Sequence, residues 1–202
     1  MHTLSINCQL HYRVINATQF IFQLQIAEHP WQTIVDESFQ LKPDLTFEQY
    51  HRDNGLNRLI RVYAPQGDLM VQYNAEVQTY IPERDTTLKE CEIQDLLSDT
   101  LFYLAPSRFC ESDLIGIMVN HTFADLPKGY TRVQAICDWI YNNILYQAGS
   151  SDSTTTARDI LVNRAGVCRD FAHLGIAICR ALNIPARFVF GYMPFYEAQP
   201  DF

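Results

Sequence analysis

Hydrophobic and polar residues alternate strictly along the first stretch of the chain. From Thr3 to Val14, Leu4, Ile6, Cys8, Leu10, Tyr12 and Val14 fall on one face, and Thr3, Ser5, Asn7, Gln9, His11 and Arg13 on the other. Successive strand side chains point to opposite faces, so this period predicts a half-buried antiparallel strand. Phe20, Phe22, Leu24 and Ile26 repeat the pattern, with Gln19, Gln23 and Gln25 facing out. Asp53-Asn54-Gly55 marks a tight turn, because Asn-Gly accepts the positive φ angles of a hairpin. Pro65-Gln66-Gly67-Asp68 marks another, and alternation resumes through Leu69, Val71, Tyr73, Ala75 and Val77. Short strands, turn signals and no helical period predict an antiparallel β-sandwich over residues 1–81.

The texture changes near Pro82. Residues 82–111 carry mixed signals and include Pro106-Ser107, which reads as a linker with at most short helical pieces. From Ser112 the period is helical. Ser112 or Asp113 can cap a helix running through Ile115 and Val119, and Thr131 can cap the next. There Val133, Ile136, Cys137, Ile140 and Ile144 form one apolar stripe. A polar loop, Gly149 to Thr156, follows, and its Ser153–Thr156 end suits the cap of a short helix from Ala157 to Val162. The predicted class is α+β: the sandwich, then a helical domain over 112–202.

A further helix is predicted from near Val167 to the stop at Asn183-Ile184-Pro185, followed by a strand through Arg187 to Tyr192. Cys168, Phe171, Ala172, Gly175, Cys179 and Leu182 share a face, while Arg169, His173 and Arg180 lie elsewhere. Cys168 therefore sits at a helix N-terminus, where unpartnered N–H groups and the helix dipole favour a thiolate. Gly166 lets the preceding backbone turn and leaves room at the sulfur, and the Cys168 N–H can serve an oxyanion. The plain alternative is that a cysteine on an apolar stripe merely packs, which describes Cys137 and Cys179. His173, five residues on, lies about 140° round the helix from Cys168 and reads as a packing or hydrogen-bonding residue. His121 ends a predicted helix and has no assigned role. Trp139 and Tyr146 read as core aromatics or site-lining ones. Arg169 and Asp170 read as tuning the thiol or complementing the dipole.

Composition narrows the classes. The 202 residues are 48% hydrophobic and 19% charged with a net charge of −8, as for a globular domain with a sizeable core. No long basic run offers a surface for nucleic acid or an anionic membrane. The N-terminal residues lack the pattern of a signal peptide, and no apolar run is long enough to span a bilayer, so the expected location is cytoplasmic. Six cysteines without a CxxC pair, and histidines without ligand spacing, predict reduced thiols and no structural zinc.

Gly166-Val167-Cys168-Arg169-Asp170-Phe171-Ala172-His173-Leu174, then Arg180-Ala181-Leu182-Asn183-Ile184-Pro185-Ala186-Arg187 and Gly191-Tyr192, resembles the transglutaminase-like superfamily. The closest likeness is to its bacterial branch, whose members carry a β-rich N-terminal region of this size. The resemblance implies a papain-like core with Cys168 as nucleophile, no metal or organic cofactor, and a protein or peptide substrate. The thiolate attacks an amide, forms a thioester, and an amine or water resolves it. The family's histidine follows the strand ending at Gly191-Tyr192, and its aspartate lies on a later strand. Neither is expected among these residues, which end at Gln199-Pro200-Asp201-Phe202. The expectation is an enzyme in the intact protein, with this stretch of chain inactive alone and prone to self-association through the edge at Arg187–Tyr192. Tyr192 is expected to border the substrate cleft. The alternative is a non-catalytic protein-interaction module with a vestigial core.

Overall fold

A computed structural model describes residues 2–52, 56–80 and 82–193. The chain divides into two compact units, Met1–Glu83 with Gly191–Phe202, and Arg84–Phe190.

In the first unit, strands β1 (His2–Val14), β2 (Thr18–Phe22), β3 (Gln32–Lys42), β4 (Phe47–Arg52), β5 (Asn57–Ala64) and β6 (Gly67–Thr79) form two three-stranded antiparallel sheets. Their orders are β1-β6-β3 and β2-β5-β4. The alternation read in the sequence for β1, β2 and β6 turns one side of these strands inward. Val14, Leu41, Leu69 and Val71 from one sheet meet Phe22, Ile60, Val62 and Ala64 from the other in a shared core. Each of the Val, Leu, Ile and Phe side chains contributes about 1.5–3 kcal/mol relative to exposure.

The turn at Pro65–Asp68 does not close a hairpin. It carries the chain from β5 in one sheet to β6 in the other, with Gly67 at φ 139. The Asp53-Asn54-Gly55 signal lies outside the described residues, although β4 and β5 on either side of it pair antiparallel. Strand β3 has no clean alternation in sequence because it is bulged: Ile34 pairs with Val77 and Asp36 with Glu76, leaving Val35 without a partner position. Strand β2 ends at Phe22, short of the alternation expected to Ile26. Beyond it, side chains replace the ladder: the Ile26 N–H donates to the Tyr73 hydroxyl at 3.1 Å, and Arg58 donates to the Ile26 carbonyl at 2.9 Å. Buried Arg58 on β5 also pairs with Glu37 on β3, tying one sheet to the other. The Tyr73 hydroxyl completes this group by donating to Glu37 at 2.9 Å, and burial pushes that phenol up to about 12.

The second unit holds α1 (Gly116–Phe123), α2 (Tyr130–Asn143), α3 (Ala157–Asn163) and α4 (Cys168–Ala181). A two-residue parallel pair, β7 (Leu145–Tyr146) with β8 (Ala165–Gly166), lies among them. Its core includes Val119, Phe123, Ile136, Ile140, Ile160, Leu174, Ala177 and Ile178.

Residues 84–111 contain 3₁₀ turns at Ile93–Asp95 and Ser98–Leu104 and an isolated bridge between Ser107 and Cys110, yet they are built into this unit and do not act as a spacer. Cys110 is in the core, the Phe109 carbonyl accepts from Ala157 N–H at 2.9 Å, and the Ala105 carbonyl accepts from Arg180 at 2.9 Å. Glu90 pairs with buried Arg132 at 3.3 Å, and the Leu88 carbonyl accepts the Tyr130 N–H at 2.9 Å. The sequence signal misleads here because backbone carbonyls and the Glu90 carboxylate make most of these ties, and an apolar pattern does not register them.

Gly129, at φ 104, starts α2 in place of a Thr131 cap; a Cβ there would sit 2.3 Å from the Leu88 carbonyl. Likewise α1 starts at Gly116, after a turn containing buried Ser112. On α2, Ile136 and Ile140 are buried as expected, but Cys137 is exposed, so its assignment to the packed stripe is corrected. Helix α3 has a reciprocal cap, with Thr156 Oγ1 accepting from Asp159 N–H and the Asp159 carboxylate accepting from Thr156 N–H at 2.9 Å. Thr156→Ala should cost about 1 kcal/mol, read as a lower denaturant midpoint at unchanged slope.

The strand expected over Arg187–Tyr192 is not formed. Asn183, at φ 62, ends the helical region, and residues 184–193 have no regular structure. A strand needs a partner strand, and none pairs with this segment among the described residues. Phe188, Val189 and Phe190 are exposed there, so self-association by edge pairing loses the edge it was argued from.

Candidate active site

The backbone leading to Cys168 is fixed on both sides. Helix α3 ends at Arg164 in the left-handed region, φ 56. Leu145 N–H then donates to the Arg164 carbonyl at 2.8 Å and Gln147 N–H to the Gly166 carbonyl at 3.0 Å, the β7–β8 pairing. Val167 is extended and forms the N-cap, so Cys168 is the first residue of α4 and is exposed. A free thiol thus meets solvent at the positive end of a 14-residue helix.

Asp170, two residues on, is 1% exposed and organises the surroundings. Its Oδ2 accepts from the Val167 N–H at 2.8 Å and from the Ser151 hydroxyl, while Oδ1 accepts from Arg169 Nε at 3.2 Å and an Arg169 terminal nitrogen at 3.1 Å. The Arg169 guanidinium reaches on to the Asp152 carbonyl at 2.7 Å. Burial alone would raise the Asp170 carboxyl; the Ser151 hydroxyl, the Val167 N–H and Arg169 outweigh it and hold the group below its usual range.

Gly166 is needed for close approach. A Cβ there would lie 2.9 Å from Asp170 Cβ and 3.1 Å from Ile160 Cδ1. The glycine lets the buried Asp170 come against the turn, a role different from the backbone freedom and space at the sulfur inferred from sequence.

The buried side of α4 is only partly the one expected: Cys179 and Leu182 are buried, as read from the sequence. Asp170, His173, Leu174, Ala177 and Ile178 are buried, whereas Phe171, Ala172 and Gly175 are partly exposed. The N-terminal part of the stripe was misplaced because Asp170 and His173 count as polar in sequence but are packed inside.

His173 stacks on Phe109, centroids 5.2 Å apart and rings 4° from parallel, with Phe188 at 5.3 Å. Its buried Nδ1 has no hydrogen-bond partner among the described residues. Burial, with the Arg169 charge, holds its proton affinity below the ordinary 6.5. A depressed histidine adds stability above its unfolded value, lost as the pH falls through the lower folded value. Denaturant unfolding should therefore show stability falling on acidification below about pH 6.5, with a shallower fall in His173→Leu.

Of the other aromatics, Tyr146 is 62% exposed on β7, its ring 5.9 Å from Phe171. Trp139 packs edge-on against Phe123, with the Arg164 guanidinium 5.3 Å from its centroid. His121 is exposed on α1. Tyr192 belongs to the first unit, where its hydroxyl donates to the Leu24 carbonyl at 2.8 Å and its ring lies 6.4 Å from Tyr73. Cys168 and Tyr192 thus fall in different compact units. Ser151 was not singled out in sequence; its only signal is a polar run ahead of a helix.

Of the remaining thiols, Cys91 is exposed and Cys8 half-buried. Cys110 and Cys179 are buried, and burial pushes Cys179 up to about 11. No group of three His, Cys, Asp or Glu side chains among the described residues is placed to hold a metal ion. Nor is any described helix long and apolar enough to cross a membrane.

Comparison with known proteins supplies the family. The transglutaminase-like superfamily model matches residues 118–199, and the bacterial transglutaminase N-terminal domain model matches 2–99. A crystal structure of a putative cysteine protease from Cytophaga hutchinsonii superposes with TM-score 0.83 at 38% identity, covering 91% of this chain and 64% of that one. An uncharacterized protein of Mycobacterium tuberculosis is 43% identical over 54 residues, 27% of this chain and 17% of its own length. An uncharacterized protein of Mycobacterium leprae is 27% identical over 133 residues, 64% of this chain and 48% of its own length. This chain therefore spans less than two thirds of each of these relatives. With an N-terminal pair of antiparallel sheets, a helical core and both domain models matched in order along the chain, the chain belongs to the transglutaminase-like superfamily.

Proposed function

We propose that Cys168 is the nucleophile of a thiol-dependent acyl transfer in the intact protein, with hydrolysis of a peptide or amide bond as the net reaction. The observation that carries this reading is the exposed thiol at the first position of α4, on a backbone held by the β7–β8 pairing and by Asp170. The sulfur adds to an amide carbonyl, the amine leaves, and water releases the acid from the thioester. The free N–H groups of the first helical turn offer donors to the oxyanion. His173 is not the base in this reading, because it is spent on Phe109 and Phe188. A separate histidine takes that role, as the family pattern implies. Kinship with a putative cysteine protease supports hydrolysis over crosslinking.

An activated ester tests the first half of the reaction without the base. On treatment with p-nitrophenyl acetate, p-nitrophenol should be released in a stoichiometric burst, and peptide mapping should find the acetyl group on Cys168. Acylation spread over Cys91 and Cys137 as readily as Cys168 would contradict the assignment.

A further inference from the structure

We infer that Asp170 is the positioning residue of the Cys168 nucleophile, acting with Ser151 and Arg169 as a latch between the 149–152 loop and the start of α4. This rests on the assignment of Cys168 as nucleophile. The carboxylate is almost fully buried, and its two oxygens take four contacts that serve three pieces of chain. One is the Val167 N–H, the peptide immediately before the reactive residue. Another is Ser151, which brings in the loop, and the last two are from Arg169, whose guanidinium continues to the Asp152 carbonyl.

Gly166 adds an independent sign that this approach is close, since a Cβ there would lie 2.9 Å from Asp170 Cβ. The turn just ahead of the thiol is thus shaped against Asp170 from two sides, by a hydrogen bond and by contact. A bare carboxylate two residues from a developing thiolate would oppose it. Arg169 supplies the balancing charge, so Asp170 can orient the turn without that repulsion. Helix capping alone would need only the Val167 contact; the Ser151 and Arg169 contacts extend the same carboxylate to a loop that precedes it by 18 to 19 residues.

Brief iodoacetamide labelling with peptide mapping tests this, using exposed Cys91 as reference and buried Cys110 and Cys179 as reporters of an opened fold. In the unaltered protein Cys168 should label faster than Cys91; failure there removes the nucleophile assignment itself and with it the latch. In Asp170→Ala the Cys168:Cys91 ratio should fall about fivefold or more while Cys110 and Cys179 stay unlabelled. Asp170→Asn keeps a side-chain oxygen for the Val167 N–H and should restore the ratio to within about twofold of the unaltered protein. A ratio unchanged in Asp170→Ala with the buried thiols silent overturns the inference, as does an Asn variant no better than Ala. If Asp170→Ala exposes Cys179, Ser151→Ala decides. It keeps the Val167 contact and should still lower the ratio about twofold, and no change there overturns the latch.

Discussion

Cys168→Ala should abolish thiol-dependent turnover in the intact protein while leaving its fold in place. The sulfur is the only atom the proposed chemistry routes a covalent bond through, so its removal should lower kcat by at least about a thousandfold. The side chain is exposed at the first turn of α4 and lies outside the apolar core, so stability should change by no more than about 0.5 kcal/mol. This separation of activity from stability distinguishes a nucleophile from a packing cysteine. Cys179→Ala gives the contrast: a buried core thiol whose loss should lower stability by about 1 kcal/mol without a selective effect on turnover. Activity assays beside denaturant unfolding on both variants check the pair of expectations.

Gly166→Val should destabilise the second unit by about 3 kcal/mol and suppress labelling of Cys168. Even the first added carbon would lie 2.9 Å from Asp170 Cβ and 3.1 Å from Ile160 Cδ1, and the two further methyls have less room. Ile160 is a buried core residue, so it has little freedom to give way. Asp170 can move only by loosening its contacts to Val167 and Ser151, which would leave a buried carboxylate short of partners. A small change in denaturant midpoint would show that the turn can shift without disturbing Asp170.

The sequence showed some of this plainly and hid the rest for definite reasons. Strands β1 and β6 were legible because apolar residues recur at every second position from Leu4 to Val14 and from Leu69 to Val77. Strand β3 was hidden by its bulge at Val35, and the crossing of Pro65–Asp68 between sheets was hidden because a turn signal gives no sheet assignment. The start of α4 was legible from Gly166-Val167-Cys168, but of its buried side only Cys179 and Leu182 were. Burial of Asp170 depends on partners 3 and 19 residues away, Val167 and Ser151, and a pattern of apolar residues cannot register them. The same holds for residues 84–111, which are tied to the helices through Glu90, Ala105 and Phe109 more than through an apolar stripe. Tyr192 read as a cleft residue from its place after the Pro185–Arg187 segment, whereas its hydroxyl is committed to Leu24 in the first unit.

The claim on which the functional account rests is that the helix start makes Cys168 the reactive thiol of this chain. Pulse labelling with iodoacetamide at neutral pH, followed by mass-spectrometric mapping of all six cysteines, measures that directly. The account predicts that Cys168 labels first, ahead of exposed Cys91 and Cys137, with Cys110 and Cys179 unlabelled. Labelling of Cys168 no faster than that of Cys91 and Cys137 would contradict it.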